Sequence, residues 1–183
     1  MTRRRVALLL APGYEELEAV TVVDILRRAN IQCDIVGTRE GVIPSARNVK
    51  ILPDKSVDDI MEDTYDLIVL PGGIDGTENL ARDQRVVALL TRHLKLGKRL
   101  GAICAAPTVL ERHDLVTGKT ITCHPVSRDA IKKARISDDR VVKDGLVITS
   151  QGPGTAMDFA LSLVEILAGK EKVKELKKGL LVE

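Results

Sequence analysis

The sequence predicts a single α/β domain built on a mostly parallel β-sheet with helices on both faces. Short runs of aliphatic and β-branched residues alternate along the chain with longer amphipathic stretches, which is typical of successive strand–helix units. The 183 residues are enough to bury a core without a disulfide or metal, and too few to predict two domains. Because no linker or low-complexity stretch divides the chain, residues 1–183 are assigned to one domain.

The first strand is predicted at residues 6–10, where a continuous apolar run suits a strand covered on both faces. Arginines before this run give it the outline of a signal peptide, but Pro12 and Gly13 end it early, with no small-residue cleavage site. A buried strand is therefore the better interpretation. A helix follows at residues 15–30, with acidic residues in its first turn and basic residues in its last, as the helix dipole favours.

The later elements continue this alternation and are separated by glycine, proline and charged residues. Further strands are predicted at residues 33–37, 67–70, 99–103 and 120–122, and a hairpin joins 141–142 to 146–148 through Asp144-Gly145. Helices are predicted at residues 83–96, 155–168 and 170–178. Since sites in parallel α/β sheets form beyond the carboxyl ends of the strands, the turns after Leu10, Leu70 and Ile103 are the candidate positions.

The composition excludes several classes of function. The net charge is only +2 and aromatic residues make up 2% of the chain, so neither an electrostatic nor a base-stacking surface for nucleic acid is expected. No apolar run is long enough to span a membrane. The three cysteines form no C-x-x-C pair, which predicts free thiols in a reducing, cytoplasmic location and neither a disulfide framework nor a zinc site.

Cys104 lies where the predicted strand 99–103 runs into small residues and Pro107, which suits the first turn of a helix. A sharp strand-to-helix turn of this kind projects a nucleophile above the sheet. The helix N-terminus is expected to lower the pKa of the thiol, and the backbone N–H of Ala105 points into the same space. The residue pattern alone leaves two interpretations open, a reactive nucleophile or a small buried apolar residue.

Two further segments bear on this site. Gly72 and Gly73 follow the strand at 67–70 and could present backbone N–H groups to an anion, although a simple tight turn is the alternative. In the helix 15–30 the apolar residues form two stripes, which indicates burial on both sides and a two-fold subunit interface on one of them. Glu18 leads one stripe, and a buried carboxyl there is expected to have a raised pKa.

His124 directly follows Cys123, but no further metal ligands stand at suitable spacing, so no metal site is predicted. His93 and His113, the other histidines, lie among polar or charged neighbours.

The chain resembles the ThiJ/PfpI superfamily, in the branch of the Parkinson-associated deglycase and its bacterial YajL-like relatives. The resemblance runs nearly end to end and is carried by five segments: APGYEELE at 11–18, VLPGG at 69–73, AICAAP at 102–107, HP at 124–125 and TSQGPGT at 149–155. A histidine that follows the nucleophile in peptidase-like branches is replaced here by Ala105, which counts against proteolysis.

The resemblance implies a flavodoxin-like three-layer sandwich and a homodimer packed through the first helix. It implies a reactive Cys104 in contact with a protonated Glu18, and the N–H groups of Gly73 and Ala105 as oxyanion donors. His124, close by, completes the predicted catalytic set. Gly72 is included in the predicted substrate-binding set. Arg28 and Arg47 match basic positions near the interface and are assigned no catalytic role.

The resulting hypothesis is cofactor-independent detoxification of small 2-oxoaldehydes or glycated substrates, of the glyoxalase or deglycase type. Cys104 forms a hemithioacetal and Glu18 acts as general acid and base, which defines a hydro-lyase or hydrolase with a cysteine nucleophile. The alternative is an oxidative-stress sensor or chaperone that acts through oxidation of Cys104 to the sulfinate.

Overall fold

A computed structural model describes residues 4–182 of the chain. The strands are Arg5–Leu10 (β1), Gln32–Gly37 (β2), Ile43–Pro44 (β3), Lys50–Ile51 (β4), Lys55–Ser56 (β5), Leu67–Leu70 (β6), Arg99–Ile103 (β7), Thr120–Ile121 (β8), Arg135–Ile136 (β9), Val141–Asp144 (β10) and Val147–Ser150 (β11). The α-helices are Glu16–Arg28 (α1), Ile74–Arg82 (α2), Gln84–Lys95 (α3), Pro107–Arg112 (α4), Ala156–Ala168 (α5) and Lys170–Leu180 (α6).

The central sheet has seven strands in the order β10-β11-β7-β6-β1-β2-β5. Every pairing between neighbours is parallel except that of β10 with β11. The predicted α/β class with a mostly parallel sheet is therefore confirmed. The initial apolar run is the buried strand β1, while residues 1–3 of the preceding basic segment lie outside the described part of the chain.

The two faces of the sheet bury separate apolar clusters, as the two-residue repeat of a strand requires. On β1, Val6, Leu8 and Leu10 pack into the cluster that α1 and α5 cover. Ala7 and Leu9 point the other way, into the cluster formed with α3 and α4. The chain is thus a three-layer sandwich. Because its strands are mostly parallel, their carboxyl ends lie along the same edge of the sheet.

Helix α2 is the main element that the sequence pattern did not predict. Residues 74–76 follow two glycines and contain a third, a composition that favours a turn over a helix. The glycine within the helix has a packing reason: a Cβ on Gly76 would lie 2.7 Å from the backbone of Tyr14. The close approach of α2 to the loop after β1 therefore requires glycine there.

Two predicted strand details are corrected. The hairpin pairs Asp144 with Val147, so its two-residue turn is Gly145-Leu146, one residue later than expected. The strand predicted at 120–122 has only two residues and pairs with β9 outside the central sheet. Among the described residues no helix is both long and apolar enough to cross a membrane.

Candidate active site

The backbone at Cys104 forms a sharp elbow between β7 and α4. Its φ is +65°, a left-handed conformation that costs a non-glycine residue about 1–3 kcal/mol and persists only where neighbours hold it. The Cys104 N–H donates to the carbonyl of Ser150 at 3.0 Å, and its carbonyl accepts from the N–H of His124 at 2.9 Å. Both backbone groups are thus fixed, and the predicted turn with Pro107 at the start of the next helix is confirmed.

Glu18 approaches this elbow from the first turn of α1. The carboxylate of Glu15 caps the helix by accepting the N–H of Glu18 at 2.9 Å. The Glu18 side chain is fully buried, and the N–H of Gly72 donates to its Oε2 at 2.7 Å. The Glu18 carboxyl lies beside the Cys104 thiol, close enough that each group shifts the pKa of the other, so the structure brings together the two residues that the resemblance paired.

Gly72 lies between these two side chains. A Cβ at this position would be 2.5 Å from the Cys104 Cβ, 2.7 Å from Glu18 Oε2 and 3.1 Å from Cys104 Sγ. Only a residue without a side chain leaves the space in which thiol and carboxyl meet. The N–H of Gly72 is directed at Glu18 and not at the sulfur, so its role differs from the oxyanion-type role expected for it.

Gly73 and Ala105 provide the N–H groups that face the sulfur. Both N–H groups lower the pKa of the Cys104 thiol and thereby favour its ionised form. Gly73 precedes α2 with φ of +90°, and a Cβ there would lie 2.2 Å from the carbonyl oxygen of Gly13. An anionic atom at this position therefore has two preorganised backbone donors.

The electrostatics of the pair differ from the acidic thiol that the helix N-terminus predicts. Burial raises the pKa of Glu18 to about 7. Burial and the Glu18 charge raise the pKa of the Cys104 thiol to about 12, against the lowering effect of the two backbone donors. Because the groups are in contact, their ionisations belong to the pair: two negative charges repel, and after the first proton leaves, one proton is shared between oxygen and sulfur.

His124 lies beside the elbow, at the start of a short 3₁₀ segment, Pro125–Ala130. Its Nδ1 accepts the N–H of Val126 at 3.3 Å. A Cβ on Gly152 would lie 3.2 Å from His124 Cδ2 and 3.9 Å from Cys104 Sγ, so the imidazole and the sulfur flank the same glycine. His124 is placed at the site as the resemblance implied.

A pocket of about 330 Å³ opens at the sulfur, and we call it the Cys104 pocket. Its lining comprises Gly13, Glu15, Ala46, Arg47, Gly73, Ile74, Asp75, Cys104, Ala105, His124, Val126, Ser127 and Pro153. Sequence reasoning missed Arg47, Ile74 and Val126 as lining residues. Their local sequence pattern does not indicate a site, because they come from three distant parts of the chain that meet only in the folded structure.

The remaining candidate residues have structural roles. Cys33 and Cys123 are buried, and burial raises the pKa of each thiol, that of Cys33 to about 12. His93 is fully buried: its Nε2 accepts the N–H of Tyr65, which leaves Nδ1–H to donate to the carbonyl of Leu89. Within residues 4–182, no cluster of three potential metal ligands occurs.

Comparison with known proteins gives a family match over most of the chain. Residues 4–166 match the DJ-1/PfpI family. The chain is 45% identical over 177 residues to Protein dj-1beta of Drosophila melanogaster, covering 95% of each chain. It is 39% identical over 184 residues to the Glutathione-independent glyoxalase DJR-1.2 of Caenorhabditis elegans, covering 98% of each.

Solved structures give the same result at the level of the fold. The crystal structure of Drosophila melanogaster DJ-1beta superposes with a TM-score of 0.97 at 43% identity and full coverage of both chains. Toxoplasma gondii DJ-1, in a structure described as oxidized, superposes with a TM-score of 0.95 at 33% identity, covering 98% of each chain. The flavodoxin-like sandwich expected from the resemblance is thus confirmed, and the chain belongs to the DJ-1/PfpI family.

Proposed function

We propose that the protein converts small 2-oxoaldehydes such as methylglyoxal into 2-hydroxy acids through a covalent adduct on Cys104, without a cofactor. The observation that carries this proposal is the contact between a partly exposed thiol and a fully buried carboxyl group. The name of the Caenorhabditis elegans relative, a glutathione-independent glyoxalase, supports the same class of reaction.

The reaction begins with the thiolate of Cys104. Burial raises the pKa of the thiol more than that of the carboxyl, an order that would leave Glu18 as the ionised member of the pair. Once the pair has lost its first proton, we instead assign the remaining proton to Glu18, because two backbone N–H groups face the sulfur and Glu18 Oε1 has no hydrogen-bond partner among the described residues. A buried carboxylate oxygen without a donor is unfavourable, whereas a carboxylic acid there donates to the sulfur. The thiolate adds to the aldehyde carbon to form a hemithioacetal.

The later steps move one proton and add one water molecule. The C1 proton of the hemithioacetal is transferred to C2 through an enediol, with Glu18 as acid and base. This converts the hemithioacetal into a 2-hydroxyacyl thioester, and no external oxidant is needed, since C1 is oxidised as C2 is reduced. Water then cleaves the thioester, which releases lactate from methylglyoxal and restores the thiol. The backbone N–H groups of Gly73 and Ala105 stabilise negative charge during these steps.

Glu18→Gln tests the assignment of the proton. The variant is expected to lower lactate formation by about 100- to 10,000-fold, because the amide cannot exchange a proton with the adduct. If Glu18 is the neutral member of the pair, as the mechanism requires, the variant should also raise the thiol pKa by about one unit, since the O–H donor to the thiolate is replaced by a weaker amide donor. If Glu18 is instead ionised, removal of its charge lowers the thiol pKa. The measurements are lactate formation and the pH dependence of Cys104 alkylation. A lower thiol pKa in the variant would mean that Glu18 is the ionised member of the pair, and would contradict the mechanism.

A redox sensor is the second candidate function, and the burial of the other two cysteines favours it. Among the thiols only Cys104 is partly exposed, so peroxide should oxidise it selectively. Intact-mass and peptide measurements are expected to show a stable two-oxygen adduct on Cys104 and none on Cys33 or Cys123. A mixture of oxidised cysteines, or no adduct on Cys104, would count against the sensor. Chaperone activity belongs to this second candidate, whereas turnover of glycated amines or thiols belongs to the enzymatic proposal.

We also propose that the protein is a cytoplasmic homodimer. All three cysteines are free thiols, as a reducing compartment favours. On α1, Leu17 and Val20 are 60% and 48% exposed, while the opposite face of the helix is buried in the core. These exposed aliphatic side chains offer an apolar surface to a second copy of the chain.

A further inference from the structure

A second cavity, of about 690 Å³, adjoins the Cys104 pocket. It lies between α2, α4 and the segment 126–133. The two share five lining residues: Ile74, Asp75, Ala105, Val126 and Ser127. They are therefore neighbouring parts of one recess, and the second cavity has about twice the volume of the pocket at the sulfur. A three-carbon substrate held at Cys104 leaves this larger part unused.

Apolar side chains mark the boundary between the two parts. Ile74 is 78% exposed and Val126 is 75% exposed, and each contributes to both cavities. Large aliphatic side chains with this exposure, gathered at the mouth of a reactive site, are suited to contact with a hydrocarbon chain. Beyond them the wall continues with Ala81 and Ala130.

The part of the second cavity away from the sulfur carries one cation without an ionic partner. Arg112 pairs with Glu78 at 3.2 Å, and Lys133 pairs with Asp114. Lys132 makes no ion pair with any described residue. The negative charge of Asp75 at the boundary is complemented by its position in the first turn of α2, and that of Glu111 by the backbone N–H groups that it accepts. Among the described cations of the lining, the ammonium group of Lys132 is the one without an ion pair.

The wall that carries Lys132 is fixed in place. Glu111 is buried, and its carboxylate accepts the backbone N–H groups of Lys132, Lys133 and Ala134. Opposite this wall, Thr77 is only 5% exposed, and its hydroxyl has no hydrogen-bond partner among the described residues. A buried hydroxyl without a partner is costly, and this one belongs to the lining of the second cavity. Such a preorganised wall with unpaired polar groups is typical of a binding site.

We propose that the second cavity is a subsite for the chain of longer 2-oxoaldehydes that end in a carboxylate. The aldehyde carbon reaches Cys104, the hydrocarbon chain passes between Ile74 and Val126, and the carboxylate binds the ammonium group of Lys132. This inference rests on the proposed function, which it extends from three-carbon substrates to amphiphilic ones.

Two eight-carbon substrates of matched length test the subsite. 7,8-Dioxooctanoate carries the terminal carboxylate, and 2-oxooctanal has a methyl group in its place. The expected result is that kcat/KM for 7,8-dioxooctanoate exceeds that for 2-oxooctanal about fivefold, and that Lys132→Ala abolishes this preference, since an exposed ion pair has about that effect. Lys95→Ala, which removes a lysine outside both cavities, should keep the preference. An equal preference in Lys132→Ala and the wild type would overturn the proposal.

A binding measurement separates failure of the subsite from failure of the proposed function. Octanoate is expected to protect Cys104 from alkylation by iodoacetamide, and Lys132→Ala should require about fivefold more octanoate for the same protection. Val126→Asp, which places a negative charge at the apolar boundary, should abolish the protection. If methylglyoxal is not converted but octanoate protects in this way, the catalytic proposal fails and the subsite remains. If methylglyoxal is converted but octanoate gives no protection, the subsite is wrong.

Discussion

Replacing Cys104 with serine is expected to reduce the conversion of methylglyoxal to lactate by at least about a thousandfold. The serine hydroxyl remains protonated at neutral pH, and it is a far weaker nucleophile than a thiolate. The substitution is nearly isosteric, so the backbone bonds of residue 104 with Ser150 and His124 should persist. Lactate formation under saturating methylglyoxal is the measurement, with thermal unfolding to confirm that the fold is retained.

Cys33→Ala is the matched control for this prediction. Cys33 is 3% exposed in β2 and packs within the cluster beneath α1, so its loss removes a thiol without touching the site. Turnover by the control should equal that of the wild type, with a small decrease in thermal stability from the lost core contact. Full turnover by Cys104→Ser would exclude a covalent mechanism at this cysteine.

Gly72→Ala is expected to have the second-largest effect, a loss of turnover of at least about a hundredfold. The added methyl would occupy a point 2.5 Å from the Cys104 Cβ and 2.7 Å from Glu18 Oε2, so the two side chains must separate. Overpacking of this kind costs about 1–3 kcal/mol of stability, and a displacement of about 1 Å can reduce a rate a hundredfold. Steady-state kinetics and the free energy of unfolding, measured on one preparation, report both effects.

Gly154→Ala provides the comparison, because a Cβ at Gly154 would meet no atom within 4 Å. This variant carries the same glycine-to-alanine change, two residues after Gly152, which lies beside the sulfur. It should retain both turnover and stability. Wild-type turnover in Gly72→Ala would show that the carboxyl and the thiol need not touch. The proposed proton transfer would then be wrong.

The sequence predicted the order of the main elements because each has its own local signal. The elbow at Cys104 could be anticipated from a buried strand followed by small residues and Pro107, and the burial of Glu18 from the apolar stripe that it leads. Helix α2 could not be predicted from the sequence. The glycine at position 76 is required by close contact with the backbone of Tyr14, and it lowers the local helical preference. Such a tertiary contact leaves no periodic pattern in the chain.

Two properties of the site also could not be predicted from the sequence. The helix N-terminus at Cys104 suggests an acidic thiol, but burial beside Glu18 opposes that effect, and the extent of burial depends on the folded packing. The second cavity draws its lining from α2, α4 and the loop at 126–133. Its existence depends on how these three segments pack. The sequence of each segment alone is that of an ordinary amphipathic or polar stretch and does not indicate a cavity.

The brevity of strand β5 affects how copies of this chain can associate. β5 closes one side of the sheet with only Lys55 and Ser56, paired to the last two residues of β2, and no described residue pairs beyond it. Two residues, one of them charged, offer an incoming strand few backbone groups, which is one way in which proteins discourage edge-to-edge strand addition. Strand addition by a second copy is therefore disfavoured at this edge, whereas the opposite edge strand, β10, has four residues.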